Sequence, residues 1–405
     1  MMRMKYELSS RDRLLQAINH SEPDHVPLYL KWWHRPYLTN MDDRWQNQFE
    51  RAEKVLSHGL DDAIGFEPPL FFSDDVEIKS WREGSMLSKE YRTPKGTLRQ
   101  VVHKTEDWPH GDDIPIFSDH VIPRSRSVKY LIENENDLEA LACLFREPKE
   151  KEIRSFHENA DVMKRFAEKK GVLIECGGDF VDYSAWGDAM GLLGGDALSW
   201  LCGLDKAMIA AFRNPDFIQQ LLEIVFEWDM RYLRLVLEAG GVDVVVHRGW
   251  YENGEFWSPK MYQILFVSRI RKLVEMTHKS NAKFCYIMST GIMPLLEYFK
   301  DMGIDVLFGV DPVQGRADLN KVKKTLVGSV CLWGGLNSAV TLKYGRREEI
   351  EKAVSDTVQI LNSGGGFILS AVDQIFEDTP WQNVEIMINA WRHACGGIAG
   401  GSFRN

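Results

Sequence analysis

The sequence predicts an α/β protein: a (β/α)8 TIM barrel with an N-terminal extension and an inserted β-hairpin. Three observations carry this reading. From about residue 135 the chain alternates strand, loop and helix with short returns, the order that builds a parallel sheet. The strands are continuous apolar runs, as expected when both sheet faces are covered. Their number comes to about eight, which favours a closed barrel over an open doubly wound sheet. No GxGxxG follows a strand and no phosphate-binding P-loop is present, so nucleotide-binding folds lack their fingerprint. The length of 405 residues fits one barrel with insertions, and the whole of 1–405 reads as a single domain.

The elements follow in order. SRDRLLQAINH (10–20) is a short amphipathic helix with Ser10 as its expected N-cap. HVPLYL (25–30) is the first strand, running into an aromatic and basic patch of Lys31, Trp32, Trp33, His34 and Arg35. LDDAIGF (60–66) is a second strand. Residues 74–105 alternate polar and apolar around TPKG (93–96), the signal of an antiparallel hairpin inserted on a loop. Pro109, Gly111, Pro115 and Pro123 make the stretch after it irregular. DLEALACLF and EIRSFHENADVMKRFAEKKG are helical by period, and VLIECGG (172–178) is a strand entering a glycine turn. Helices are expected around 188–212 and 215–239, then a strand at 242–249 and a helix at 259–281. AKFCYIMSTG, IDVLFGVDP, SVCLWGGLN and GFILSAVDQ are the remaining strands, each followed by a helical segment.

Composition narrows the function. Lys plus Arg is 49 against 59 for Asp plus Glu, a formal charge of -10. An acidic chain is a poor general binder of nucleic acid or of anionic membranes. The six cysteines, Cys143, Cys176, Cys202, Cys285, Cys331 and Cys395, form no CxxC pair and read as reduced thiols. The N-terminus has no apolar signal region, and no apolar run approaches a membrane span of roughly 18 residues. A cytoplasmic enzyme acting on a small molecule is the expectation, and a homodimer is compatible with it.

In such barrels the chemistry sits at the C-terminal ends of the strands. That rule selects Lys31 to Arg35 after the first strand, with Trp32, His34 and Arg35 expected to touch substrate. It selects Glu175, Gly177, Gly178 and Asp179 after the 172 strand. Next come His247, Arg248, Trp250, Tyr251 and Glu252, then Tyr286, Ser289 and Thr290, Asp311, Trp333 and Asn337, and finally Asp373 and Gln374. His247 is the sharpest of these, because VVVH puts a polar ring where the strand leaves the core. It is either functional or a structural histidine bonded to its neighbours. Asp373 ends ILSAVD in the same way, with loop bracing as its alternative role. Asp311 in a DP step has the look of a turn residue. Trp250, Tyr251, Phe256 and Trp257 suit a pocket wall for a flat substrate or simple loop packing. No HxH, HxC or HExxH occurs, so no metal set is assigned, although His247, Glu252, Asp311 and Asp373 are types that could converge on one.

These residues resemble the uroporphyrinogen decarboxylase superfamily along almost the whole chain. RDRLLQAINHSEPDHVPLYL is similar to its opening helix, its EPDRVP turn and its first strand. RTPKGTL resembles its hairpin. GGVDVVVHRGWYENGEFWSPKMYQ and GFILSAVDQIFEDTPWQNV resemble its strand–loop–SP helix and its final strand with DTP-x-N. The resemblance implies a (β/α)8 barrel with a cleft at the strand C-termini. It also implies one of two chemistries: cofactor-free decarboxylation of a porphyrinogen, or methyl transfer between a substrate and a corrinoid carried by a partner protein, usually with zinc. KWWHRPY stands where the decarboxylase carries RQAGRY. Tyr286-Ile287-Met288 stands at the methyltransferases' His-x-Cys, and Asp373 at or near their later cysteine, so the usual zinc triad is absent. The resulting expectation is corrinoid-linked methyl transfer to or from a small methoxylated aromatic. His247 would be general acid or metal ligand, Asp373 its partner and Tyr286 the residue orienting the substrate oxygen. Trp32, His34, Arg35, Arg248, Trp250, Tyr251, Glu252, Ser289, Asp311 and Trp333 would line the substrate. The alternatives are a decarboxylase, with Lys31, Arg35 and Arg248 holding carboxylates, and a ligand-binding barrel without chemistry.

Overall fold

A computed structural model describes residues 8–31, 45, 47–177, 191–376 and 378–396. Trp32, His34, Arg35, Gly178 and Asp179 lie outside these described residues. Eight parallel strands form the barrel: β1 (Leu28–Tyr29), β2 (Ala63–Gly65), β7 (Leu173–Cys176), β8 (Val244–Arg248), β9 (Lys283–Ile287), β10 (Val306–Val310), β11 (Cys331–Asn337) and β12 (Phe367–Val372). They run in the order β1-β12-β11-β10-β9-β8-β7-β2. Closure comes from the parallel bridge of Tyr29 with Asp61 and the 2.9 Å bond from Asp61 N–H to the Leu28 carbonyl.

The insertion is larger than one hairpin. β3 (Glu77–Glu83), β4 (Met86–Thr93), β5 (Gly96–His103) and the distant β6 (Ser127–Lys129) form a four-stranded antiparallel sheet. The expected TPKG turn joins β4 to β5, and a second turn at Gly84 joins β3 to β4.

Two core layers follow from the period-2 alternation of the strands. Tyr29, Ala63, Leu173, Val244, Val246, Cys285, Ile287, Val306, Phe308, Cys331, Trp333 and Ile368 fill the lumen. The helix α1 (Ser10–Ile18) closes its floor with Leu14, Ala17 and Ile18. Its N-cap is Ser9, which accepts from Asp12 N–H, and not Ser10. The intervening strand residues, such as Ile174, Val245, Phe284 and Leu307, pack outward on the helices.

Those helices include α5 (Asp196–Cys202), α6 (Leu204–Arg213) and α7 (Pro215–Ala239). The helix expected around 188–212 is therefore broken at Gly203, whose φ of 81° an L side chain resists. The helix expected at 259–281 is α8 (Pro259–Tyr262), a π-helical turn (Gln263–Val267) and α9 (Ser268–Lys279). No helix among the described residues is long and apolar enough to cross a membrane.

Candidate active site at the barrel mouth

The alternation that builds the lumen also decides which strand-end groups reach it. Leu173 is a lumen residue while Ile174 and Cys176 face the helices, so Glu175 points inward. It is 2% exposed, and its Oε1 has no hydrogen-bond partner among the described residues. Burial pushes its carboxyl well above the usual range; Arg51 and Lys31 pull it back, Glu67 and Asp62 push it further. Lys31 follows lumen residue Tyr29 by two and is equally buried, its Nζ 6.0 Å from the centre of the Phe308 ring. Trp333 meets Tyr29 and Phe308 edge-on at 5.0 and 5.8 Å. Trp250 packs against this same inner cluster. An aromatic chamber with one buried carboxyl and one buried lysine results.

A second acid stands at the rim. Glu67, two residues past β2, is half-buried, takes 2.7 Å from Gly177 N–H and accepts the Tyr232 hydroxyl. Burial raises it to about 8, against the pull of those two bonds. Sequence reading passed over Glu67, although its place just after LDDAIGF is the same strand-end signal that marked Glu175. Gly177 reaches Glu67 because it lacks a side chain: at φ 118° a Cβ would lie 1.9 Å from the Val246 carbonyl oxygen.

The rest of the rim is polar and well braced. Asp311 is buried and accepts from Asn337 Nδ2 and Val313 N–H, both at 2.8 Å. Ser289 is half-buried. Asp373 follows β12 with φ 70°, a left-handed conformation costing a non-glycine residue roughly 1 kcal/mol. Gln374 beside it is buried, its Oε1 without a hydrogen-bond partner among the described residues. Arg248 is held by Asp119 at 2.5 Å and by Asp196 at 3.1 Å, and lies over the Trp200 ring. Tyr251 binds Asp196 through its backbone N–H, and burial carries its phenol well above its usual range.

His247 and Tyr286 are placed differently from the expectation. Val244 and Val246 belong to the lumen and Val245 to the helix layer, so His247 turns outward. Its Nε2 lies 3.2 Å from both Glu252 oxygens, not against Asp373 on the far side of the barrel. Tyr286 also faces the helices, giving its hydroxyl to Glu252 and taking that of Tyr262 at 3.3 Å. Burial disfavours the charged ring of His247, but Glu252, Asp229 and Asp196 outweigh it and raise its pKa. Asp229 on α7 accepts from Leu193 and Gly194 N–H, and Glu252 from Gly195 N–H. This buried network fastens the segment entering α5 to the loop that carries Trp250 and Tyr251. Of the expected site residues, His247 and Tyr286 thus meet Glu252 on the helix side, and Asp373 follows a strand four places away around the barrel.

Comparisons of the sequence with known proteins find one family over about half of the chain. A sequence-family profile described as "Uroporphyrinogen decarboxylase (URO-D)" matches residues 196–394. Uroporphyrinogen decarboxylase of Methylobacillus flagellatus is 25% identical over 183 residues, 44% of this chain and 49% of that protein. The Hamiltonella defensa enzyme of the same name is 25% identical over 189 residues, 46% of this chain and 50% of its own. The match thus spans about half the length of these curated relatives. Among solved structures, a methyltransferase from Methanosarcina mazei superposes over 96% of this chain and 99% of its own, with a TM-score of 0.58 at 18% identity. That likeness speaks to the fold.

Proposed function

The chain is a member of the uroporphyrinogen decarboxylase superfamily, and from that premise we propose that it is an enzyme of methyl transfer, acting on a small methoxylated aromatic or similar substrate in the barrel mouth and exchanging the methyl group with a corrinoid on a partner protein. The observation that carries the reading is Glu175, a buried carboxyl with its pKa pushed upward and one oxygen unpartnered among the described residues, inside an aromatic chamber. Breaking an aryl methyl ether leaves an oxygen anion, a poor leaving group unless a proton reaches it as the C–O bond breaks. Glu175 supplies that proton, and the half-buried Glu67 returns one from solvent. Trp250, Trp333 and Phe308 supply flat apolar walls. Lys31 steadies the Glu175 carboxylate left after transfer. His247, Glu252 and Tyr286 act at one remove, by fixing the loop that presents Trp250.

The corrinoid supplies the methyl-accepting centre when its carrier docks. Zinc of the family's usual kind does not fit these residues. Its places hold Tyr286, Met288 and Asp373, Tyr286 is turned away from the lumen, and no group of three or more His, Cys, Asp or Glu among the described residues is arranged for a metal. Decarboxylation is the second reading. Of the three cations it relies on, Arg248 is held by two carboxylates, and Arg35 lies outside the described residues.

The test is formation of methylcobalamin from reduced cobalamin and a panel of methoxybenzoates and methoxyphenols. Wild type is expected to turn over at least one donor. Glu175→Gln should lower kcat about 100-fold or more while binding the donor normally. No transfer from any donor, together with release of carbon dioxide from a porphyrinogen, would establish the second reading instead.

A further inference from the structure

The long loop joining β5 to β6 of the inserted sheet holds a cluster that the mouth chemistry does not use. His110 Nε2 and His120 Nδ1 lie 3.3 Å apart, and Ser118 Oγ lies 3.3 Å from each. The three atoms make an equilateral triangle. As hydrogen bonds, all three edges are long, since N–H···O bonds centre near 2.9–3.0 Å. A single hydroxyl proton also cannot serve both rings. The triangle has another meaning. Ligand atoms of a tetrahedral ion are separated by about 1.63 bond lengths, so bonds of about 2.0 Å put them about 3.3 Å apart.

We propose that His110 Nε2, His120 Nδ1 and Ser118 Oγ are three corners of a binding site for a divalent transition-metal ion of the zinc class, with solvent completing the coordination. Imidazole nitrogen is the common ligand of such ions. The Ser118 hydroxyl already accepts from His120 N–H at 3.2 Å and keeps a second lone pair. Trp108 meets both rings edge-on, at 5.0 and 6.3 Å, and fixes their planes. Both histidines are half-buried and Ser118 is buried.

The neighbouring charges nearly balance. Asp113 is shared with Lys89 at 2.8 Å, and Arg126 is held by Asp107 at 2.9 Å and by the His120 carbonyl at 3.0 Å. The site also touches the mouth through the chain itself. Asp119, between two of the ligands, accepts from Arg248 at 2.5 Å and from Trp200 Nε1 at 2.9 Å. An ion bound by residues 118 and 120 would pin the carboxylate that holds Arg248.

The experiment uses tag-free full-length protein stripped with a chelator and titrated with Zn2+ by calorimetry and with Co2+ by absorption. The expected result is one ion per chain and the intense visible bands of tetrahedral cobalt. His110→Asn and His120→Asn should each weaken binding roughly tenfold or more, and Ser118→Ala less. X-ray absorption at the zinc edge of the wild type should count two imidazoles, a measurement that holds even if a variant fails to fold. Absence of stoichiometric binding, retention of full affinity in both histidine variants, or a zinc shell without two imidazoles would overturn the site.

Discussion

Glu67 shows how one residue makes stability depend on pH. An ordinary glutamate loses its proton near 4.5, and Glu67 keeps its own to about 8. Between those values the folded state holds a proton that the unfolded state has released. Stability therefore falls as pH rises through that window and levels off above it. Glu67→Gln keeps an acceptor for Gly177 N–H and removes the titration. The Tm of the variant relative to wild type should rise steadily between about pH 5 and pH 8. A difference that stays flat across that range would contradict the assignment. Glu175 was legible in the sequence as a strand-end acid, whereas Glu67 was not singled out. Burial raises both carboxyls, and the groups that pull them back come from far apart in the chain: Arg51 and Lys31 for Glu175, Tyr232 and Gly177 for Glu67.

At the scale of elements, the β8 loop and the start of α5 approach closely at two glycines. Gly194 has φ 49°, and a Cβ there would lie 2.4 Å from His247 Cε1 and 2.5 Å from Glu252 Oε1. Gly194→Ala should cost roughly 1–3 kcal/mol in urea unfolding, since the added methyl strains the backbone and displaces the buried ring or carboxylate. An unchanged midpoint would show that the network is looser than its geometry. Long periodic helices such as α7 and α12 (Arg347–Leu361) were plain in the sequence. The turns were less so. The break at Gly203 and the π-helical turn at Gln263–Val267 lie inside stretches that read as continuous helix, because apolar spacing survives a local change of hydrogen-bond pattern.

For the whole molecule, closure of the barrel rests on a buried cluster at its floor. Asp61 is fully buried, accepts 2.7 Å from Arg13 and 3.1 Å from Leu28 N–H, and bridges β1 to β2. Arg13 on α1 also grips Asp24 at 2.7 Å, so the same cluster seats the floor helix. Asp61→Ala should destabilise by roughly 3–5 kcal/mol, because it leaves a buried guanidinium short of a partner. Lys352→Ala, which removes an exposed pair with Asp356, should change stability by less than about 0.5 kcal/mol. Equal effects of the two in denaturant unfolding would mean that closure does not depend on Asp61. By itself the sequence determined the strand–helix alternation, the barrel and the end of it where the polar groups gather, since these follow from apolar period and chain order. Only the tertiary structure decided which of those groups share a chamber. A strand covered on both faces is apolar on both, so VVVH cannot say whether its histidine looks into the lumen or out toward the helices. The register of the closed sheet settles that, turning Glu175 and Lys31 inward and His247 and Tyr286 outward.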